Sequence, residues 1–192
     1  MAILINNILA PRTPAARRRP PFHRWLMVLI AAVATAGASQ QPSLEYQVKA
    51  SYIYNLIQFI DWPQAADTPQ IGDFTICVFG ANRFGVTLDQ LQGKKVKGRL
   101  IAVRYPRRIE DTAACQVVFI SSSQRWRQGE VIAAVSGSGV LTIGEMPGFI
   151  EDGGIINFIK IGDKIRFEIN NSAARRAQLS ISAQLLNLAS RR

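Results

Sequence analysis

Hydrophobic and polar positions alternate in two ways along this chain, and the change from one to the other sets out the elements. Residues 44–61, LEYQVKASYIYNLIQFID, carry Leu44, Val48, Tyr52, Leu56 and Phe59 at helical spacing. The spacing predicts a helix over 44–61, with Ser43 at its N-cap and Glu45 in its first turn. Trp62-Pro63 ends it, because a residue before proline disfavours the α region. The apolar stripe is wide enough to pack on a sheet. Residues 64–73, rich in Pro, Asp and Gly, read as a loop.

Short apolar runs follow at intervals. Phe74–Phe79, Arg99–Tyr105, Cys115–Ser121 and Val140–Ile143 read as strands. Helical patterns lie between them, one around 83–91 and one through Val135 capped by Ser121, Ser122 or Ser123. Gly93 and Gly98 bracket a basic turn, Lys94-Lys95-Val96-Lys97, and 146–154 reads as a loop. Ile155–Ile161 and Lys164–Ile169, joined by Gly162-Asp163, predict a β-hairpin. Asn171 or Ser172 starts a last helical segment with Ala174, Ala177, Ile181, Leu185 and Leu188 on one face. Residues 179–182 interrupt it, and Ser182 caps a second short helix. Strands alternating with helices give an α/β fold. The expectation is a single domain: a mostly parallel sheet flanked by helices, with a C-terminal antiparallel hairpin.

The N-terminus follows a different pattern. Arg17-Arg18-Arg19 and Arg24 precede the apolar run 25–34, and Ala36-Gly37-Ala38 follows as a small-x-small site. This order predicts a signal peptide over 1–38, cleaved after Ala38, and a domain over 39–192. An uncleaved N-terminal anchor is the alternative. The apolar run is half the ~20 residues that span a bilayer. Export also changes how the charge is read. The net charge is +10, but five of the 23 basic residues lie in the first 24 positions, where no acid occurs. Residues 39–192 hold 18 basic and 13 acidic side chains. That is a mildly basic domain, with no nucleic-acid footprint.

Candidate chemistry is sparse. His23, the only histidine, lies within the signal, so an exported form has none. That removes Ser-His-Asp and Cys-His catalysis and histidine-based zinc sites. Cys77 and Cys115 are the only cysteines. An oxidising compartment favours a disulfide between them, and two buried free thiols are the alternative. Gly80-Ala-Asn-Arg-Phe-Gly85 has the place of a phosphate loop, but Val86-Thr87 stands where Lys and Ser/Thr are needed. A plain strand-to-helix turn is the better reading. Glu110-Asp111 and Glu151-Asp152 read as solvated surface rather than a glycosidase pair. Lys94, Lys95, Lys97, Arg99, Arg104, Arg107 and Arg108 form the densest basic stretch. It reads as a solvated loop and strand end, or as a face for anionic lipid or an acidic partner. Asn55, Asn157, Glu168 and Asn170 are polar residues inside apolar motifs. Glu168 and Asn170, with Arg175 beside them, are candidate partner contacts near the start of the last helix. Solvent exposure of Glu168 and helix capping by Asn170 are the alternatives.

The segments EYQVKASYIYNLIQFIDWP (45–63), FTICVFG (74–80), KGRLIAVR (97–104), CQVVFISSS (115–123), VLTIGEMPGF (140–149), GGIINF (153–158) and RFEINNSAARRAQLSISAQLLNLA (166–189) together resemble the YfiR family. The resemblance runs in order over nearly all of the chain after the signal. It implies a periplasmic, non-enzymatic regulator that needs no cofactor. Such a regulator binds and represses an inner-membrane diguanylate cyclase of the YfiN type, lowering cyclic di-GMP and biofilm formation. A YfiB-like outer-membrane lipoprotein sequesters it, and a homodimer is left open. The resemblance also implies that Cys77 and Cys115 are the family's disulfide positions. Some relatives carry a second cysteine pair near the loop before the hairpin, where this chain has Gly148–Gly154 without cysteine. The rival expectation is a small-ligand-binding or sensory module acting on a different signalling partner.

Overall fold

The computed structural model describes residues 43–63 and 72–190, which belong to one compact unit, Gln40–Arg192. The expected signal peptide 1–38, its expected cleavage site at Ala38, His23 and most of the 64–73 loop lie outside the described residues.

Phe74–Phe79 (β2) is buried along its whole length, as an inner parallel strand must be. It pairs in parallel with Arg99–Arg104 (β4) on one side and Val117–Ile120 (β5) on the other. Leu141–Gly144 (β6) and Ile156–Ile161 (β7) extend the parallel sheet beyond β5. Lys164–Ile169 (β8) closes the hairpin against β7, and Lys95–Val96 (β3) pairs antiparallel with β4 at the other edge. The order is β3-β4-β2-β5-β6-β7-β8. The mostly parallel α/β sheet with its antiparallel hairpin is therefore present. The basic turn expected at 94–97 contains a two-residue strand instead, because Val96 is buried and pairs with Arg99, which sets Lys95 opposite Leu100.

The first helix differs from its expectation in length and in face. It spans Leu44–Leu56 (α1), passes through a 3₁₀ turn at Ile57–Phe59, and becomes a strand at Ile60–Asp61 (β1). β1 pairs antiparallel with Ser180–Ile181 (β9), the segment that interrupts the last helical run. The restriction that Pro63 places on Trp62 thus acts together with pairing at Ile60 and Asp61 to end the helix early. The buried face is Tyr46, Lys49, Ala50, Ile53 and Leu56, while Leu44 is 75% and Val48 37% exposed.

Val86–Asp89 (α2) lies on the α1 side, with Phe84, Leu88 and Leu91 in the larger core. A 3₁₀ segment, Ser122–Arg127, leads into Gln128–Ala134 (α3). Val131, Ile132 and Val135 pack with Cys77, Cys115, Val118 and Ile120 in the second core, on the other face of the sheet. Asn171–Arg176 (α4) and Ala183–Leu188 (α5) return to the larger core, capped by Asn170 and Ser182.

In the loop before the hairpin, Phe149 is fully buried. Its ring lies where a Cβ on Gly144 or Gly154 would come within 2.4 or 2.2 Å. Glycine at both positions lets the ring staple the loop to the end of β6. No helix among the described residues is long and apolar enough to cross a membrane.

Candidate functional site

The parallel strand order reverses between β2 and β5, since β4 lies to one side and β6 and β7 to the other. In open α/β sheets such a reversal opens a crevice at the carboxyl ends of the strands, where ligands bind. Here the crevice is filled. Gly80, at φ 102°, follows β2, and a Cβ on it would come within 2.6 Å of Ser123 Oγ and 2.7 Å of Gln124 Cγ. The Ala81 N–H donates to Ser123 Oγ at 2.8 Å. Asn82 folds the next residues into a turn: its Oδ1 accepts from Phe84 N at 3.0 Å, and its Nδ2 donates to the Gly85 carbonyl at 3.3 Å. The glycine-rich segment is the plain strand-to-helix turn.

Beside this closed crevice lies a buried polar cluster that the sequence reading missed. Glu145, directly after β6, falls between the expected strand Val140–Ile143 and the expected loop 146–154. Its carboxylate accepts from Tyr46 Oη at 2.8 and 3.0 Å, from Lys49 Nζ at 2.7 Å and from Ser122 N at 3.3 Å. The Lys49 and Glu145 side chains are each only 5% exposed. Lys49 also donates to Glu45 one turn earlier on α1. Burial, then the hydrogen bond to Glu145, push the Tyr46 phenol above its ordinary range, so it stays a donor. The cluster ties α1 to the carboxyl edge of the sheet, and each carboxylate oxygen of Glu145 has a partner.

The expected residues fall in several places. Cys77 and Cys115 are joined by a disulfide and buried in the second core. Glu168 is 9% exposed on β8. Asn170 caps α4 by accepting from Ala173 N at 2.9 Å, and its Nδ2 donates to the Ile150 carbonyl at 3.1 Å. Arg175 is exposed and lines an open groove of about 360 Å³ with Asn171, Gln178, Leu179, Ile181 and Leu186. Asn157 is buried and accepts from Met146 N at 3.0 Å, whereas Asn55 faces solvent.

The basic stretch does not form one patch. Lys95, on β3, pairs with Leu100 near the amino end of β4, and Arg104 ends β4 about 13 Å further along. At the amino end Lys97 pairs with Asp61 at 2.8 Å, and Arg99 donates to the backbone carbonyls of Gly72 and Asp73. At the other end Arg108 pairs with Asp111 at 2.7 Å, and its hydrogen bond holds that carboxyl below its usual range. Asp152 accepts from Gln128 Nε2 at 2.7 Å. Among the described residues no group of three or more His, Cys, Asp or Glu could hold a metal ion.

Two exposed surfaces went unread in the sequence. Trp126 is 94% exposed between Arg125 and Arg127, in a segment that read as the start of a helix. An open groove of about 590 Å³ lies between α1 and the hairpin, lined by Leu44, Val48, Tyr52, Lys160, Lys164 and Ile165. Leu44 and Val48 were assigned to the core face, which hid that surface.

No curated protein matches the sequence. Among solved structures, the chain is similar to a conserved domain protein from Vibrio cholerae, at 12% identity, a TM-score of 0.50 and 76% coverage of this chain. It is also similar to an ABC domain from Streptococcus pneumoniae in complex with L-Trp, at 11% identity, a TM-score of 0.47 and the same coverage. The chain spans 59% of the length of each, and the likeness to the first is one of fold alone. Residues 46–190, nearly all of the compact unit, match the family model described as YfiR/HmsC-like, and the chain belongs to that family.

Proposed function

We propose that this protein is a periplasmic regulator that binds and represses an inner-membrane diguanylate cyclase of the YfiN type, and that a YfiB-like lipoprotein relieves the repression. The carrying observation is the family match, which spans residues 46–190 and supports a regulatory role in cyclic di-GMP signalling. The geometry agrees with action by contact. The sheet's ligand crevice is closed by Ser123 and Gln124, and the buried carboxylate beside it is bonded internally. The regulator binds one conformation of the cyclase better than the other and so shifts it towards the inactive state. The charge-apolar-small order of residues 1–38 and the Cys77–Cys115 disulfide support export. Mass spectrometry of the periplasmic fraction should then find a mature start near Ser39.

The exposed Arg175 groove is the proposed cyclase contact. Deleting the gene should raise cyclic di-GMP several-fold, and the parent chain should restore the low level where Arg175→Glu does not. Glu168→Lys reads on folding instead, because Glu168 is nearly buried. The α1–hairpin groove favours a second reading, a small-ligand sensor for another partner. Unchanged cyclic di-GMP on deletion, with an intact cyclase present, would support that reading and sink repression.

A further inference from the structure

Exposed basic side chains stand on the loops that leave the carboxyl ends of β2, β4 and β5. Arg83 follows β2, Arg107 follows β4, and Arg125 and Arg127 follow β5. Arg104 ends β4, and Lys160 lies where β7 runs past its last pairing with β6. All six are exposed. Acids occur on this edge too: Glu110 and Asp111 follow β4, where Asp111 takes up Arg108; Glu130 takes up Arg127, Tyr105 donates to Asp89, and the loop after β6 carries Glu151 and Asp152, so the basic face is the β4–β2–β5 side. Among the described residues Arg104, Arg107 and Arg125 make no ion pair.

β5 is the third of the five parallel strands, so its loop sits at the middle of this row. That loop carries Trp126, 94% exposed, with the Arg125 guanidinium 5.9 Å from its ring centre. The loop is anchored from beneath: Ser121 accepts from Ser123 N, and Ser123 accepts from Ala81 N. An indole held out in water leaves a large apolar surface unburied on a fixed platform.

We propose that the carboxyl edge of the sheet lies against an anionic phospholipid surface, with Trp126 in the headgroup layer and the flanking arginines on lipid phosphates. Tryptophan is the side chain most at home at a membrane–water interface, with its ring in the acyl boundary and its N–H towards the polar layer. Guanidinium forks match phosphate oxygens. The cations stand on separate loops across ~20 Å of strand spacing. That breadth fits a plane of phosphates better than the concave pocket a protein would need for one indole. The proposal is independent of the cyclase reading and needs no partner protein.

The test uses the chain from Ser39, which contains the whole compact unit Gln40–Arg192 and lacks the apolar run 25–34. Its only tryptophans are Trp62 and Trp126. It should co-sediment with phosphatidylglycerol–phosphatidylethanolamine vesicles and not with phosphatidylcholine vesicles. Its emission should shift to the blue, and Trp126→Phe should abolish the shift. Trp126→Ala should weaken partitioning about tenfold. Arg104→Gln/Arg107→Gln/Arg125→Gln should weaken it about a hundredfold, at several-fold per arginine. Molar salt should release the wild-type chain, a readout that needs no variant to fold. Absence of binding, equal binding to phosphatidylcholine, or binding indifferent to salt would overturn the proposal. So would loss of cyclase repression in Trp126→Ala when the parent chain binds no vesicle, which would assign this face to an acidic protein.

Discussion

Lys49 sits in the middle of the buried face of α1, 4% exposed, where an apolar residue would ordinarily stand. It is tolerated because Glu145, 96 residues further on, meets it at 2.7 Å and Tyr46 and Ser122 fill the remaining carboxylate positions. Removing one member of such a pair leaves the other charge buried without its partner, at a cost of about 3–5 kcal/mol. Lys49→Met should lower stability by about that amount in urea unfolding. Lys49→Met/Glu145→Gln should recover most of it, because the amide needs no counter-charge. Equal losses in the single and double variants would show that packing, and not the pair, is what Lys49 supplies. The pair also explains why this site was not legible in the sequence. A lysine reads as solvent-facing until its partner is known, and helical periodicity carries no information about a glutamate so distant in the chain. The apolar spacing puts Leu44 and Val48 on the core face, and so it hides the exposed groove they line.

At the scale of elements, continuous apolar runs were the reliable signal. Phe74–Phe79 and Lys164–Ile169 begin and end where their patterns do, because parallel neighbours or a tight hairpin fix both ends. Pieces whose structure depends on a distant partner were not legible. β1 and β9 are two residues each, with Ile60 opposite Ile181 and Asp61 opposite Ser180, and no local pattern announces them. The loop at 146–154 is a further case: the sequence reads as irregular, while the chain folds around the Phe149 ring with side-chain bonds at Met146, Ile150 and Asp152. Gly154→Ala would place a Cβ within 2.2 Å of the Phe149 ring and 2.6 Å of the Phe149 carbonyl oxygen. The backbone oxygen has no rotamer with which to escape, so the loop must shift. Overpacking of this kind costs about 1–3 kcal/mol. The urea midpoint should fall accordingly, and Gly154→Ala/Phe149→Leu should regain part of the loss. An unchanged midpoint in Gly154→Ala would mean that the ring is not the staple.

For the whole molecule, the disulfide decides how far the two edges of the sheet act as one. Cys77 lies on β2, the strand where the order reverses, and Cys115 on the segment entering β5, 38 residues later. The loop it closes contains α2, β3 and β4, that is, one entire edge of the sheet. The other edge, β6 to β8, lies outside the loop and has no second bond. In its place Phe149 packs between two glycines, a contact that no reductant reaches. Reduction should therefore act unevenly. In the chain-entropy account a loop of this size is worth about 4 kcal/mol, through the freedom it removes from the unfolded chain. Cys77→Ala/Cys115→Ala should lose about that much in urea unfolding, and dithiothreitol should bring the parent chain to a similar midpoint. Hydrogen exchange under native conditions should speed up first at β3 and β4, which lie at the sheet edge inside the loop, while the hairpin amides of β7 and β8 keep their protection. If the hairpin exchanged as readily as β4, the two edges would form one cooperative unit. The bond would then stabilise the molecule evenly, and reduction could not release one edge of the sheet without the other.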